Sequence, residues 1–267
     1  MTSEEKSDIM IKNLSTGSVY SMLKRFEVEN YRGFSEKLVF DLTARDYGFN
    51  QNLIFNGVVN KAIIYGKNGI GKSALGFAIF DIISHLTDNK NLKRGNYRNL
   101  EHLDRPATFR YFFKFDNDEI VYAYTKFDQY DLRKEELTVN GREVIRFNYF
   151  SDSEEDRFVD DTLKGSLNID LKDNKLSVLK YIYRNTPTNP YSPVTKLINF
   201  CENMLWYRSL SEGNSYMGFT TERFELTELI RKNDKLDEFQ NFLQQNGLNY
   251  HLGFEKDADG YTLYAYY

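Results

Sequence analysis

Ala62-Ile63-Ile64-Tyr65-Gly66-Lys67-Asn68-Gly69-Ile70-Gly71-Lys72-Ser73, continued by Ala74-Leu75-Gly76-Phe77-Ala78-Ile79-Phe80-Asp81-Ile82-Ile83-Ser84, decides how this chain is read. Gly66 to Ser73 spell G-x-x-x-x-G-K-S, the spacing of a phosphate-binding loop. The motif has meaning only between a strand and a helix, and the flanks supply both. Ala62 to Tyr65 form a short apolar run that predicts a buried strand. After the loop, Leu75, Ala78, Ile79, Ile82, Ile83 and Leu86 recur at helical spacing, and Phe77 and Phe80 widen the apolar face.

The residue types suit an anion. Gly66, Gly69 and Gly71 let the backbone turn with positive φ and approach a phosphate without Cβ clashes. Asn68 and Ile70 complete the loop. The amides from Gly69 through Ser73 and Ala74 then point inward at the positive end of the following helix. Lys72 supplies a mobile point charge for the β- and γ-phosphates. The Ser73 hydroxyl is a hard oxygen ligand for Mg²⁺. The bland alternative is a glycine-rich turn ahead of a buried helix.

With 267 residues, the chain is long enough for one large domain or two small ones. Aromatics make up 16% of it, which suggests sheet surface and packed core rather than disorder. No stretch approaches the roughly 20 apolar residues of a membrane helix, and the polar start, Met1-Thr2-Ser3-Glu4-Glu5-Lys6, lacks a secretory apolar segment. A single cysteine, Cys201, excludes an internal disulfide framework and fits a reducing cytoplasm. Net charge is −4, so a nucleic-acid partner would need a local basic patch. The lysines and arginines between residues 88 and 105 read as a solvated loop, diluted by Asp88, Glu101 and Asp104.

Residues 1–20 read as a flexible tail. Leu23 to Phe34 alternate apolar and polar residues as a half-buried strand does, and Leu38 to Leu42 read as a second strand. Thr108–Phe115 and Glu119–Phe127 form a hairpin around Asp116-Asn117-Asp118. Leu132–Val139 and Arg142–Phe150 form another around Asn140-Gly141. Residues 21–150 thus make one lobe holding the phosphate loop and an antiparallel meander. Residues 151–249 read as a mainly helical insertion and residues 250–267 as a terminal hairpin. In the insertion, Ser192-Pro193 starts a helix striped by Val194, Leu197, Ile198, Cys201, Met204 and Leu205. A later helix, Lys235 to Asn246, turns Leu236, Phe239, Phe242 and Leu243 inward and stops at Gly247. The acidic run 151–161 reads as a solvated loop, with Phe158-Val159-Asp160-Asp161 a poor strand. Thr125-Lys126-Phe127-Asp128 mimics a guanine-recognition motif by coincidence.

Phe26-x-Val28-x-Asn30-Tyr31-Arg32-Gly33-Phe34, followed by Gly66-Lys67-Asn68-Gly69-Ile70-Gly71-Lys72-Ser73, resembles the start of ABC-type ATPases of the RecF, SMC, Rad50 and OLD kind. Tyr122-Ala123-Tyr124 and Glu135-Glu136-Leu137 resemble small bacterial members, some of which work in abortive infection and phage defence. The resemblance implies an α/β P-loop NTPase fold with a mixed sheet, an added antiparallel layer and a helical insertion. It implies binding of ATP with Mg²⁺, with Arg32 near the phosphates. It also implies homo-oligomers formed through the ATPase heads, a nuclease or other effector partner, DNA as a ligand, and a cytoplasmic location. It covers residues 20–150.

Hydrolysis in that family needs an apolar strand ending in Asp-Glu, and none occurs here. Leu210-Ser211-Glu212-Gly213 has the letters of the family's signature but a poor helix after it, so it reads as a decoy. The expectation is a chain truncated before both elements, which binds ATP weakly and hardly hydrolyses it. No catalytic residue is assigned. Two alternatives stay open: a nucleotide-stabilised interaction module without turnover, and a P-loop kinase.

Overall fold

The computed structural model describes residues 21–46, 48, 50–86, 96–165, 167, 169, 171, 176–186, 192–207, 216–217, 226–256 and 260–266. The chain divides into two compact units, Met1–Cys201 and Glu202–Tyr267.

In chain order, the first unit holds β1 (Ser21–Glu29), β2 (Leu38–Asp41), β3 (Ile54–Phe55), β4 (Val58–Val59) and helix α1 (Lys72–Leu86). β5 (Ala107–Phe115), β6 (Asp118–Lys126), β7 (Leu132–Val139), β8 (Arg142–Asn148) and β9 (Arg157–Val159) follow. It ends with α2 (Asp161–Lys164), α3 (Val178–Asn185) and α4 (Pro193–Glu202). Seven strands form one sheet in the order β2-β1-β5-β6-β7-β8-β9, and every neighbouring pair is antiparallel. β3 and β4 pair separately.

Alternation builds the sheet. On β5, Ala107, Phe109, Tyr111, Phe113 and Phe115 are buried, while Thr108, Arg110, Phe112 and Lys114 take the other face. The buried face receives the helices. The Tyr111 hydroxyl donates to the Ala78 carbonyl of α1 at 3.0 Å, and the His85 ring stacks on Tyr124 with centroids 4.0 Å apart. Phe200 of α4 meets the rings of Phe113 and Phe115. Each such side chain taken wholly out of water contributes about 1.5–3 kcal/mol. The Asn140-Gly141 turn has both residues at positive φ, 50° and 79°, as a two-residue hairpin between right-twisted strands requires. Ser177 caps α3 by accepting from Lys180 N, and Ser192 Oγ accepts from Thr195 N at the start of α4.

The second unit holds β10 (Trp206–Tyr207), β11 (Tyr216–Met217), α5 (Leu226–Lys232), α6 (Leu236–Gln245), β12 (His251–Lys256) and β13 (Tyr261–Tyr266). β12 and β13 form a hairpin. Gln240 Oε1 of α6 accepts from Leu252 N of β12 at 2.8 Å. Gly247, at φ 83°, ends α6 as its position predicts.

Several elements depart from the sequence expectation. No strand enters the phosphate loop: residues 61–67 lie outside any helix or sheet, and no parallel pairing occurs among the described residues. The mixed sheet is therefore not seen, because the apolar run finds no strand beside it. Arg157–Val159, read as solvated, forms the edge strand β9, since Val159 can bury against Ile145. Asp160 caps α2 through Thr162 N and pairs with Arg142. The α4 stripe ends at Cys201, and Leu205 is exposed beyond the helix end. On α6 no residue is buried and Phe242 is 57% exposed, because a unit this small offers little interior. Leu210 to Gly213, residues 1–20 and the cations at 90, 93 and 94 lie outside the described residues. Among the described residues no helix is long and apolar enough to cross a membrane.

Candidate phosphate-loop site

The loop from Gly66 to Gly71 leads directly into α1, whose first residue is Lys72. Gly69 and Gly71 stand at φ 85° and 103°, conformations that L side chains rarely adopt. At Gly71 a Cβ would also lie 3.3 Å from the Phe34 ring. Leu75 N donates to the Gly71 carbonyl at 2.9 Å and closes the first turn. The amides of the preceding residues are the unpaired donors that every helix leaves at its start. Lys72 Nζ donates to the carbonyls of Gly66 at 2.7 Å and Lys67 at 2.8 Å, so its ammonium is folded back over the loop. Asn68, Gly69 and Ile70 are exposed at the loop tip, Ser73 is exposed and Ala74 is half-buried.

The turn after β1 stands beside the loop. Asn30 and Arg32 both adopt positive φ, 53° and 50°. Asparagine visits this conformation more readily than most residues, and here its Nδ2 donates across the fold to the carbonyls of His102 and Arg105 at 2.9 and 2.7 Å. Arg32 N donates to Tyr97 O at 3.0 Å, and Asn99 Nδ2 donates to Arg32 O at 2.7 Å. These bonds fix the segment 97–106 against the turn. The Arg32 guanidinium lies 4.2 Å from the Phe77 ring centroid, one turn along α1 from Ser73. Its Nε is buried without a hydrogen-bond partner. The structure therefore brings Arg32 and Phe34 to the first turns of the same helix that carries Lys72 and Ser73.

These residues fit a polyphosphate: positive-φ glycines, a helix start, one ammonium and a nearby guanidinium form an anion cradle. Mg²⁺ fits as a partner of the phosphates, with the Ser73 hydroxyl as protein ligand and waters completing its octahedron. Among the described residues no group of three or more His, Cys, Asp or Glu side chains stands ready to hold a metal ion by itself.

Behind the loop, α1 is tied to the sheet by polar groups. Asp81 Oδ2 accepts from Lys126 Nζ at 3.0 Å and from the Tyr124 hydroxyl at 2.9 Å, and Oδ1 accepts from the Tyr97 hydroxyl at 3.0 Å. Burial first, and the Asp81 charge second, push the Tyr97, Tyr111 and Tyr124 hydroxyls well up from their ordinary value. One turn on, His85 Nε2 lies 2.7 Å from the Tyr122 hydroxyl. That hydroxyl donates to Glu135 Oε1 at 2.8 Å, so His85 Nε2 carries the proton between them. Burial first, then Lys126 and Lys180, hold His85 well below its ordinary value, which agrees with a neutral ring. Glu135 is wholly buried. It also accepts from the hydroxyls of Ser177 and Tyr149 and from Val178 N and Leu179 N, capping α3 as an internal anion.

Sequence reasoning missed Asp81, Lys126, Glu135 and Tyr97. A signal for Asp81 existed: a carboxylate between Phe80 and Ile82 on an apolar helix requires a buried partner. Lys126, in the segment that mimics a guanine-recognition motif, is that partner. Its side chain is 3% exposed and turned into the core.

No protein-family profile matches this chain, and no curated protein matches it.

Proposed function

We propose that this chain binds ATP together with Mg²⁺ through the loop Gly66 to Ser73. The supporting observation is the conjunction at the start of α1: Gly69 and Gly71 at positive φ, with Lys72 Nζ folded over the loop carbonyls. On this reading the loop amides and Lys72 hold the β- and γ-phosphates, and Ser73 carries the metal. Arg32, poised over Phe77, adds charge beside the phosphates.

The finer reading follows the resemblance to ABC-type ATPases. The chain is an ATP-binding unit whose nucleotide-driven dimerisation gates an effector in a DNA transaction or in phage defence. Turnover by this chain alone is slow, since no apolar strand ending in Asp-Glu occurs in its sequence to position water.

Calorimetry tests the core of the proposal. The intact chain should give saturable heat with Mg·ATP, and Lys72→Ala should abolish it while leaving the circular-dichroism spectrum unchanged. Absence of heat from the unaltered chain would refute the reading.

A nucleotide-stabilised interaction module without turnover is favoured by a separate observation. Ile63 and Tyr65, just ahead of the loop, are 92% and 91% exposed.

A further inference from the structure

Arg32 stands beside the loop in a costly backbone conformation. Its φ is 50°, a region that a residue other than glycine keeps only where its surroundings impose it. Two hydrogen bonds impose it here. Arg32 N donates to Tyr97 O at 3.0 Å, and Asn99 Nδ2 donates to Arg32 O at 2.7 Å. Both partners belong to one short segment, so whatever fixes that segment fixes Arg32. Tyr97 supplies the anchor, because its hydroxyl donates to Asp81 Oδ1 on α1 at 3.0 Å. Asp81 is held in turn by Lys126 and Tyr124 of the sheet, at 3.0 and 2.9 Å.

The anchor also has a direction. Ser73, Phe77 and Asp81 follow one another at four-residue spacing along α1 and share a face. The Arg32 guanidinium lies 4.2 Å from the Phe77 ring centroid, between Ser73 and Asp81 on that face. The turn that carries it is closed by reciprocal bonds between Tyr31 and Phe34, at 3.0 and 2.9 Å, and Phe34 stands against Gly71. One turn of chain thus touches the loop through Phe34 and is tied to α1 further along through Tyr97. Arg32 forms no ion pair among the described residues, so its charge is not already neutralised. We propose that Tyr97 is a positioning residue: by tying the 31–34 turn to Asp81, it holds the Arg32 guanidinium where it meets the phosphates of a nucleotide in the loop. The inference rests on the reading of Gly66 to Ser73 as a nucleotide site.

The test is a double-mutant cycle on the full 267-residue chain, read by calorimetry with Mg·ATP. Tyr97→Phe removes only the hydroxyl and leaves the carbonyl that Arg32 N uses, while Asp81 keeps Lys126 and Tyr124. It should weaken binding about 2- to 30-fold, the range of residues that act through another. Arg32→Ala should weaken binding at least as much. Adding Tyr97→Phe to Arg32→Ala should change affinity by no more than about twofold, because the hydroxyl then has nothing to position. Hydrogen exchange without nucleotide supplies a second readout: in Tyr97→Phe the Arg32 amide should exchange faster while the amides of β5 keep their protection. Unchanged affinity in Tyr97→Phe overturns the proposal, as does a full additive loss in the double variant. Loss of protection across β5 also overturns it, by showing that Tyr97 serves the fold as a whole. Absence of heat from the unaltered chain is a different failure, since it refutes the nucleotide reading and this inference with it.

Discussion

Asp81 on α1 and Lys126 on β6 meet across the core of the first unit at 3.0 Å, with side chains only 4% and 3% exposed. Both charges have left water, so each depends on the other and on the tyrosine hydroxyls around them. Removing one partner of a buried pair strands the other, at a cost of about 3–5 kcal/mol. Lys126→Met should therefore lower the unfolding free energy by that amount in urea titration. A loss below about 1 kcal/mol, the range of exposed pairs, would show that the pair is not truly buried in solution.

Glu135 caps α3 from within the sheet. Glu135→Gln replaces an oxygen with an amide donor facing donors from Tyr122, Tyr149, Ser177, Val178 and Leu179. The expected loss is about 1–3 kcal/mol. Hydrogen exchange should localise it, with the amides of Val178 and Leu179 losing protection before those of β5.

His85 sets a pH dependence. Its folded value is depressed below 6.5, so the unfolded chain takes up this proton more readily. The stability contribution is complete above 6.5 and declines as pH falls below it, by up to about 1.4 kcal/mol per pH unit. Urea unfolding at pH 7.5, 6 and 5 should show the decline, and His85→Gln should flatten it. The lowered carboxyls of Asp118 and Asp160 act only at more acidic pH, near and below their ordinary value of 3.8.

Gly71 is constrained twice, by φ 103° and by the Phe34 ring. Gly71→Ala should weaken Mg·ATP binding about 5- to 30-fold, since a wrong φ costs on the order of 1–2 kcal/mol. Adding Phe34→Ala removes the contact but not the torsional strain, so the double variant should not recover. Recovery in calorimetry would show that the ring, and not the backbone, dictates glycine there.

Ile63→Ser should change stability by no more than about 0.5 kcal/mol, as exposed substitutions do. Ile82→Ala, at a wholly buried position on α1, should cost about 2–5 kcal/mol. Thermal melts of the two variants compare the apolar run before the loop with the apolar face of the helix after it.

Local chemistry made much of the chain legible. Asn140-Gly141 can hardly be anything but a tight hairpin, Ser177 and Ser192 announce helix starts, and strict alternation on β5 assigns a face to each side chain. The glycine turn into α1 was readable for the same reason: Gly69, Gly71 and the helical spacing after them act on backbone only a few residues away. Arg32 was quoted for its motif, but its place over Phe77 could not be read from spacing.

By itself, the sequence determined the hairpins and the loop-to-helix junction, because these depend on torsions and contacts between near neighbours. Only the tertiary structure decided that Lys126 serves Asp81, that Glu135 caps a helix more than forty residues further on, and that Ile63 to Tyr65 stay bare. Burial is a property of what stands opposite in space. An apolar run such as Ala62 to Tyr65 has the same letters whether or not a neighbouring strand covers it.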